Sequence, residues 1–84
     1  MDGEQILVSV QKPIGIMLEQ EKSAGPIFVA EVDPTGSAAN AGVKQGDILL
    51  AVQNASVQSA DLEEVLGFIG NAPRVINLRF SRKT

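Results

Sequence analysis

Glycine and proline cut this chain into short pieces. Lys12-Pro13, Gly25-Pro26, Asp33-Pro34-Thr35-Gly36, Gly42, Gly46-Asp47 and Asn71-Ala72-Pro73 fall between runs of apolar residues. The intervals suit strands of about five or six residues and leave room for one helix of any length. Proline cannot donate to a β-ladder and restricts the residue before it, so each of these points reads as a turn or a boundary.

The runs themselves read as strands. Ile6 to Val10 alternates weakly and is β-branched, and Ile14 to Leu18 follows with Gly15 at its entrance. Ile27 to Val32 is a third strand, and Asp33-Pro34-Thr35-Gly36 closes it with good turn chemistry. Ile48 to Val52 is nearly continuous in its apolar character and predicts burial on both faces. Gln53-Asn54 bends the chain into a short extended piece at Ala55 to Val57. Ile76, Leu78 and Phe80 alternate with Asn77 and Arg79, a half-buried last strand.

Two segments read as helical. Ser37 to Ala41 is short and alanine-rich, with Ser37 placed to cap it and Gly42 to end it in a left-handed conformation. In the second, Asp61 and Glu64 have the spacing of a capping box. Leu62, Val65, Leu66 and Ile69 form an apolar stripe down one face, weakened by Gly67 and Gly70. The order is β-β-β-α-β-β-α-β. It predicts an α+β, mostly β domain: a small, partly open antiparallel barrel or sandwich of about six strands capped by two helices. The length fits one domain spanning 1–84, with its core at about 5–82.

Composition excludes several functions. There is no Cys and no His, which removes disulfides, zinc sites built on either residue and catalysis that uses them as nucleophile or base. Asp47, Asp61, Glu63 and Glu64 each have a turn, a cap or the surface to serve, and Ser37 and Ser56 have no evident activating base. No phosphate-binding glycine loop occurs. The reading is therefore not an enzyme, without metal or cofactor. A net charge of -3 disfavours nucleic acid, and the basic cluster Arg79, Arg82, Lys83 reads as a solvated strand end. No apolar run approaches the roughly 18 residues of a membrane helix. The acidic start Met1-Asp2-Gly3-Glu4 lacks the order of a signal peptide, which predicts a cytoplasmic or trimmed beginning.

Three stretches resemble the PDZ domain family. Pro13-Ile14-Gly15-Ile16 matches its x-Φ-G-Φ carboxylate-binding loop. Gly36 to Leu49 follows its pattern G-x-A-x-x-A-G-x-x-x-G-D-x-[IL]. Val52-Gln53-Asn54 stands in the place of V-N-G and leads without a gap through the capped helix to the last strand. The resemblance implies a protein–protein interaction module that binds the C-terminal tail of a partner. The tail adds a strand to a sheet edge, a mode for which PDZ domains are themselves a type example.

Carried onto this sequence, the resemblance implies that the N–H groups of Ile14, Gly15 and Ile16 receive the ligand carboxylate, with Lys12 as the available cation. Pro13 departs from the family's usual first glycine. Ile14, Ile16, Leu18 and Ile69 would line the pocket for the last ligand side chain. Leu62 stands where relatives that prefer Ser or Thr at the third residue from the ligand terminus carry histidine. With Leu66 it implies an apolar residue there, hence a Φ-x-Φ-COOH tail. Met17 and Glu19 would lie on the other side of the edge strand, where Glu19 could favour a basic ligand residue.

The departures at Pro13, Leu62 and Asn54 leave an alternative open, a PDZ-fold structural or docking subunit that binds no free peptide. A regulatory domain of a protease is disfavoured, because such domains usually have a circularly rearranged strand order. The wording from Lys12 to Glu19 also resembles PDZ-like domains of plant and algal plastid proteins. The chain is expected to act as a monomer.

Overall fold

The computed structural model describes residues 4–82. Met1-Asp2-Gly3, which carried the reading of the start, and Lys83 of the basic cluster lie outside these residues. The elements are β1 (Glu4–Gln11), β2 (Ile16–Gln20), β3 (Ile27–Val32), α1 (Ser37–Asn40), β4 (Ile48–Val52), β5 (Ala55–Ser56), α2 (Leu62–Asn71) and β6 (Val75–Arg82). Their order is the expected one. All four prolines fall outside helices and strands, as the loss of a donor requires.

The strands form one antiparallel sheet in the order β1-β6-β4-β3-β2, with β5 paired to β4. The sheet is not closed, so β1 and β2 are its edges. Ile6, Val8 and Val10 of β1 stand opposite Phe80, Leu78 and Ile76 of β6. These cross-strand pairs supply the centre of the core, and Val10, Ile76, Leu78 and Phe80 are fully buried. Leu7 and Arg79, the pair on the outer face, remain exposed.

β4 departs from the expectation of burial on both faces. Leu49 and Val52 are buried while Ile48, Leu50 and Ala51 are half-buried. The register against β6 slips between Leu49 and Ala51, and this bulge lets residues three apart face the same core. Gln53 and Asn54 both have positive φ and join Val52 to Ala55, the geometry of a two-residue hairpin turn.

The helices close the two ends of the sheet. α1 contributes Ala38 to the core and gives way to Gly42 at φ +99, the left-handed exit expected of it. Ser37 does not cap the helix. Gly36 is the N-cap residue, and the Ser37 hydroxyl donates to the Gln11 carbonyl, tying α1 to β1. In α2 the box residues take their places, and Glu64 Oε1 accepts from the Asp61 N–H at 3.1 Å. Both halves of the box are present, and Asp61 Oδ1 also accepts from Ser23 Oγ at 2.8 Å and Ala24 N at 2.9 Å. The Ser23 hydroxyl and then the Ala24 N–H hold that carboxyl below the usual range. The cap therefore also anchors α2 to the loop between β2 and β3.

Candidate functional site

Two short pieces of chain interlock at the head of β2. Gly15 has φ +81, and a Cβ there would stand 3.0 Å from the Cα of Gly36. A Cβ on Gly36 would in turn stand 3.0 Å from the Cα of Gly15 and from the Ile14 carbonyl. The two backbones touch, which only glycine permits at either position. The Gly15 carbonyl accepts from Asp33 N at 2.8 Å and the Ile14 carbonyl from Ala38 N at 3.0 Å. Asp33 is itself fixed in a turn, where the N–H and then the hydroxyl of Thr35 hold its carboxyl below the usual range.

With one carbonyl bonded to α1 and the other to the turn before it, the opposite side of the loop presents donors. Among the described residues, the N–H groups of Ile14 and Gly15 donate to no group of the protein. Backbone donors left unpaired beside an apolar surface form a concave site suited to an anion.

A groove of about 580 Å³ opens from this loop between β2 and α2. Ile14, Ile16 and Leu18 form one wall, and Leu66 and Ile69 the other. Pro13, Lys12 and Gly70 close its end at the loop. The apolar stripe of α2 is thus divided: Val65 goes into the core, while Leu66 stays 50% exposed over the groove. Leu62 packs against the core and does not line the groove. Met17 and Glu19 are exposed on the other side of the edge strand, as the strand period requires.

Side chains from the β1–β2 segment hold α2 at both of its ends. Lys12 Nζ donates to the Gly70 carbonyl at 2.9 Å and the Ala72 carbonyl at 2.8 Å. These belong to the end of a helix, whose last carbonyls lack partners and carry partial negative charge. Lys12 therefore sits at the loop end of the groove, but its head is engaged with α2. At the far end, Gln20 Nε2 donates to the Gly25 and Ala60 carbonyls, each at 2.9 Å, and Oε1 accepts from Leu62 N at 2.9 Å. Gln20 carried no motif. The signal that marks it is the strand period, which places it on the same face as Ile16 and Leu18.

A second depression of about 310 Å³ lies on the outer face, between β1, β6 and β4, and includes Leu7, Ser9, Asn77 and Arg79. Among the described residues, no cluster of acidic side chains could hold a metal, and no helix is long and apolar enough to cross a membrane.

The family profile of the PDZ domain matches residues 5–80, almost the whole of the described sheet and both helices. The chain belongs to the PDZ domain family. A PDZ domain from choanoflagellate SHANK1, solved bound to a GIRK3 peptide, superposes with a TM-score of 0.89 at 26% identity, covering 96% of this chain and 94% of that one. Two curated relatives are described as probable periplasmic serine endoproteases, DegP-like. The one from Halomonas elongata is 43% identical over 58 residues, and the one from Rhizobium meliloti 32% identical over 72. These matches cover 67% and 86% of this PDZ domain but 12% and 13% of the relatives' own lengths. The likeness runs against the expectation, drawn from strand order, that a protease setting is disfavoured. It is confined to a small part of those proteins.

As a PDZ domain, the chain is an interaction module that binds peptides. Its open edge at β2, its apolar groove and its glycine-locked loop are the parts such a module needs.

Proposed function

We propose that this PDZ domain binds the free C-terminal tail of a partner protein, without catalysis. The tail lies antiparallel to β2 and extends the sheet at its open edge. Its carboxylate is received by the N–H groups of Ile14, Gly15 and Ile16, and its last side chain enters the pocket of Ile14, Ile16, Leu18 and Ile69. The observation that carries this reading is the pair of unpartnered N–H groups at the head of an apolar groove beside an edge strand. Lys12 adds positive charge at the same end, although its hydrogen bonds go to α2.

The ligand class follows from the walls. Leu66, the wall on the α2 side, offers no hydrogen bond to a ligand hydroxyl, and Leu62 is packed toward the core, so an apolar residue is favoured at the third position from the end, giving Φ-x-Φ-COOH. A few anchored residues that must be ordered on binding support a micromolar affinity, roughly -8 kcal/mol. The likeness to periplasmic proteins supports a setting in the cell envelope over the cytoplasmic or plastid ones expected from the sequence.

Titration of the isotope-labelled domain with short apolar-ended peptides, free or amidated at the C-terminus, tests the reading by NMR. Free peptides are expected to shift Ile14 to Leu18 and Leu66 to Ile69, and amidation to remove the effect. Equal binding of both forms would rule out carboxylate recognition.

A further inference from the structure

The groove-facing residues of β2 are Ile16, Leu18 and Gln20, by the two-residue period of a strand. An antiparallel ligand strand has the same period. Its last, third-from-last and fifth-from-last side chains therefore fall beside these three residues in turn. The cavity runs along the first two and stops there: it is lined by Leu18 and Leu66 but by neither Gln20 nor Leu62.

What ends it is the Gln20 amide. Both of its N–H groups are used, on the carbonyls of Gly25 and Ala60, and its oxygen takes the N–H of Leu62. Leu62 is the first residue of α2, so that N–H has no partner within the helix. Gln20 thus stitches the end of the edge strand to the start of the helix across the place where a third ligand side chain would sit. An apolar ligand side chain that displaced the amide would break its three hydrogen bonds, with the Gly25 and Ala60 carbonyls and the Leu62 N–H. Breaking three such bonds destabilises the complex by more than burial of one apolar side chain stabilises it.

We infer that Gln20 is a specificity-determining residue that closes the groove after two ligand side chains. The domain reads the last and third-from-last residues of the tail and excludes the fifth-from-last from the groove. This rests on the tail-binding reading above.

The test uses two sets of short peptides with the same Φ-x-Φ-COOH end, carrying Leu or Gly at the fifth residue from the end. Wild-type protein is expected to bind both sets equally. Gln20→Ala is expected to prefer Leu by about fivefold or more, since the Leu62 N–H and the Ala60 carbonyl then already turn to water, and the side chain enters the vacated space without breaking a bond. A Leu preference already present in the wild type, or an unchanged profile in the variant, overturns the inference.

Amide exchange of the free protein reads the stitch without any ligand. Exchange at Leu62 should be faster in Gln20→Ala on the order of tenfold, with Val65, bonded within α2 to Asp61, as the control. Unchanged exchange at Leu62 overturns the stitch even where peptides bind. Gln20→Glu would set a carboxylate oxygen against the Gly25 and Ala60 carbonyls, each 2.9 Å from Nε2 in the wild type, so it too should lose Leu62 protection; full protection in that variant overturns the assigned pairing. Failure of the tail-binding reading looks different. No peptide of either set, free or amidated, then perturbs Ile14 to Leu18, and the specificity claim falls with it while the Leu62 comparison still decides the stitch.

Discussion

Arg82 meets Asp47 in a two-point fork, Nε to Oδ1 at 2.8 Å and Nη2 to Oδ2 at 2.7 Å. The carboxylate is 2% exposed and also accepts from Lys44 N, while Nη2 reaches the Gly42 carbonyl. One pair therefore fastens the end of β6 to the loop that precedes β4. Burial pushes the Asp47 carboxyl up, but the Arg82 and Lys44 hydrogen bonds and the charges of both residues outweigh it, and the carboxyl lies below its ordinary range. A group lowered on folding contributes stability that is fully present above its unfolded value, about 3.9, and is lost as pH falls through the folded value. Stability is expected to be flat between about pH 5 and 7 and to fall below about pH 4. Asp47→Asn should cost about 1–2 kcal/mol at pH 7, because it removes the charged acceptor of a partly exposed arginine, and less as pH falls. Urea titrations across pH check this, and parallel profiles for the two proteins would contradict it. Asp33 and Asp61 are lowered as well, so the variant keeps part of the acid slope.

Gly67 stands in the middle of α2, and a Cβ there would meet nothing within 4 Å. Glycine in such a position costs about 1 kcal/mol relative to alanine, through the freedom it gives the unfolded chain. Gly67→Ala should therefore raise stability by about that amount in chemical denaturation. Peptide affinity should not change, because Gly67 is not among the residues that line the groove.

At Gly15 the same substitution should act in the opposite sense. The φ of +81 costs an L-residue roughly 1–2 kcal/mol, and the new Cβ would press on the Gly36 backbone. Gly15→Ala is expected to lower the melting temperature and also to remove binding of free-ended peptides at temperatures where the protein remains folded. Retained affinity would separate the loop from carboxylate recognition.

The fold was legible because its signals are local. The prolines, the left-handed exit at Gly42, the turn at Gly46-Asp47 and the alternation of Ile76, Leu78 and Phe80 each act within a few residues. The groove residues Ile14, Ile16, Leu18, Leu66 and Ile69 were legible through resemblance, since a period alone does not say which side of a helix stays open. What escaped was contact between residues far apart in the chain. Lys12 reaches Gly70 across 58 positions, Gln20 reaches Leu62 across 42, and Ser37 bonds Gln11 across 26 instead of capping its own helix. In each case a polar side chain serves a backbone group elsewhere, and sequence spacing does not record such a pairing.

Lys12 offers a way to separate charge from scaffolding. Its ammonium satisfies two carbonyls at the end of α2, each bond to a charged group contributing roughly 1.5–3 kcal/mol where it is shielded and less at this partly exposed site. Lys12→Met should lower stability by about 1 kcal/mol and free the end of the helix. Loss of the charge should weaken free-ended peptides a few-fold at low salt and leave amidated ones unaffected, with the difference shrinking as ionic strength rises. Equal weakening of both would assign Lys12 to holding α2 alone.

Val65 and Leu66 are neighbours in α2 with opposite duties. Val65 is 1% exposed within the core, whereas Leu66 is 50% exposed and forms a groove wall. Truncating Val65 to alanine removes buried methyl groups and should cost about 2 kcal/mol of stability, with the affinity of the folded protein largely kept. Truncating Leu66 removes area that is half in water already, so stability should change by no more than about 0.5–1 kcal/mol. A ligand side chain would lose that wall, however, and at about 25 cal/mol for each Å² no longer covered the affinity should drop roughly fivefold. The loss should be larger for peptides that are apolar at the third residue from the end than for those with glycine there. Thermal denaturation and fluorescence titration on the two variants measure both quantities. A Leu66→Ala protein that binds as tightly as the wild type would move the ligand off this face of α2.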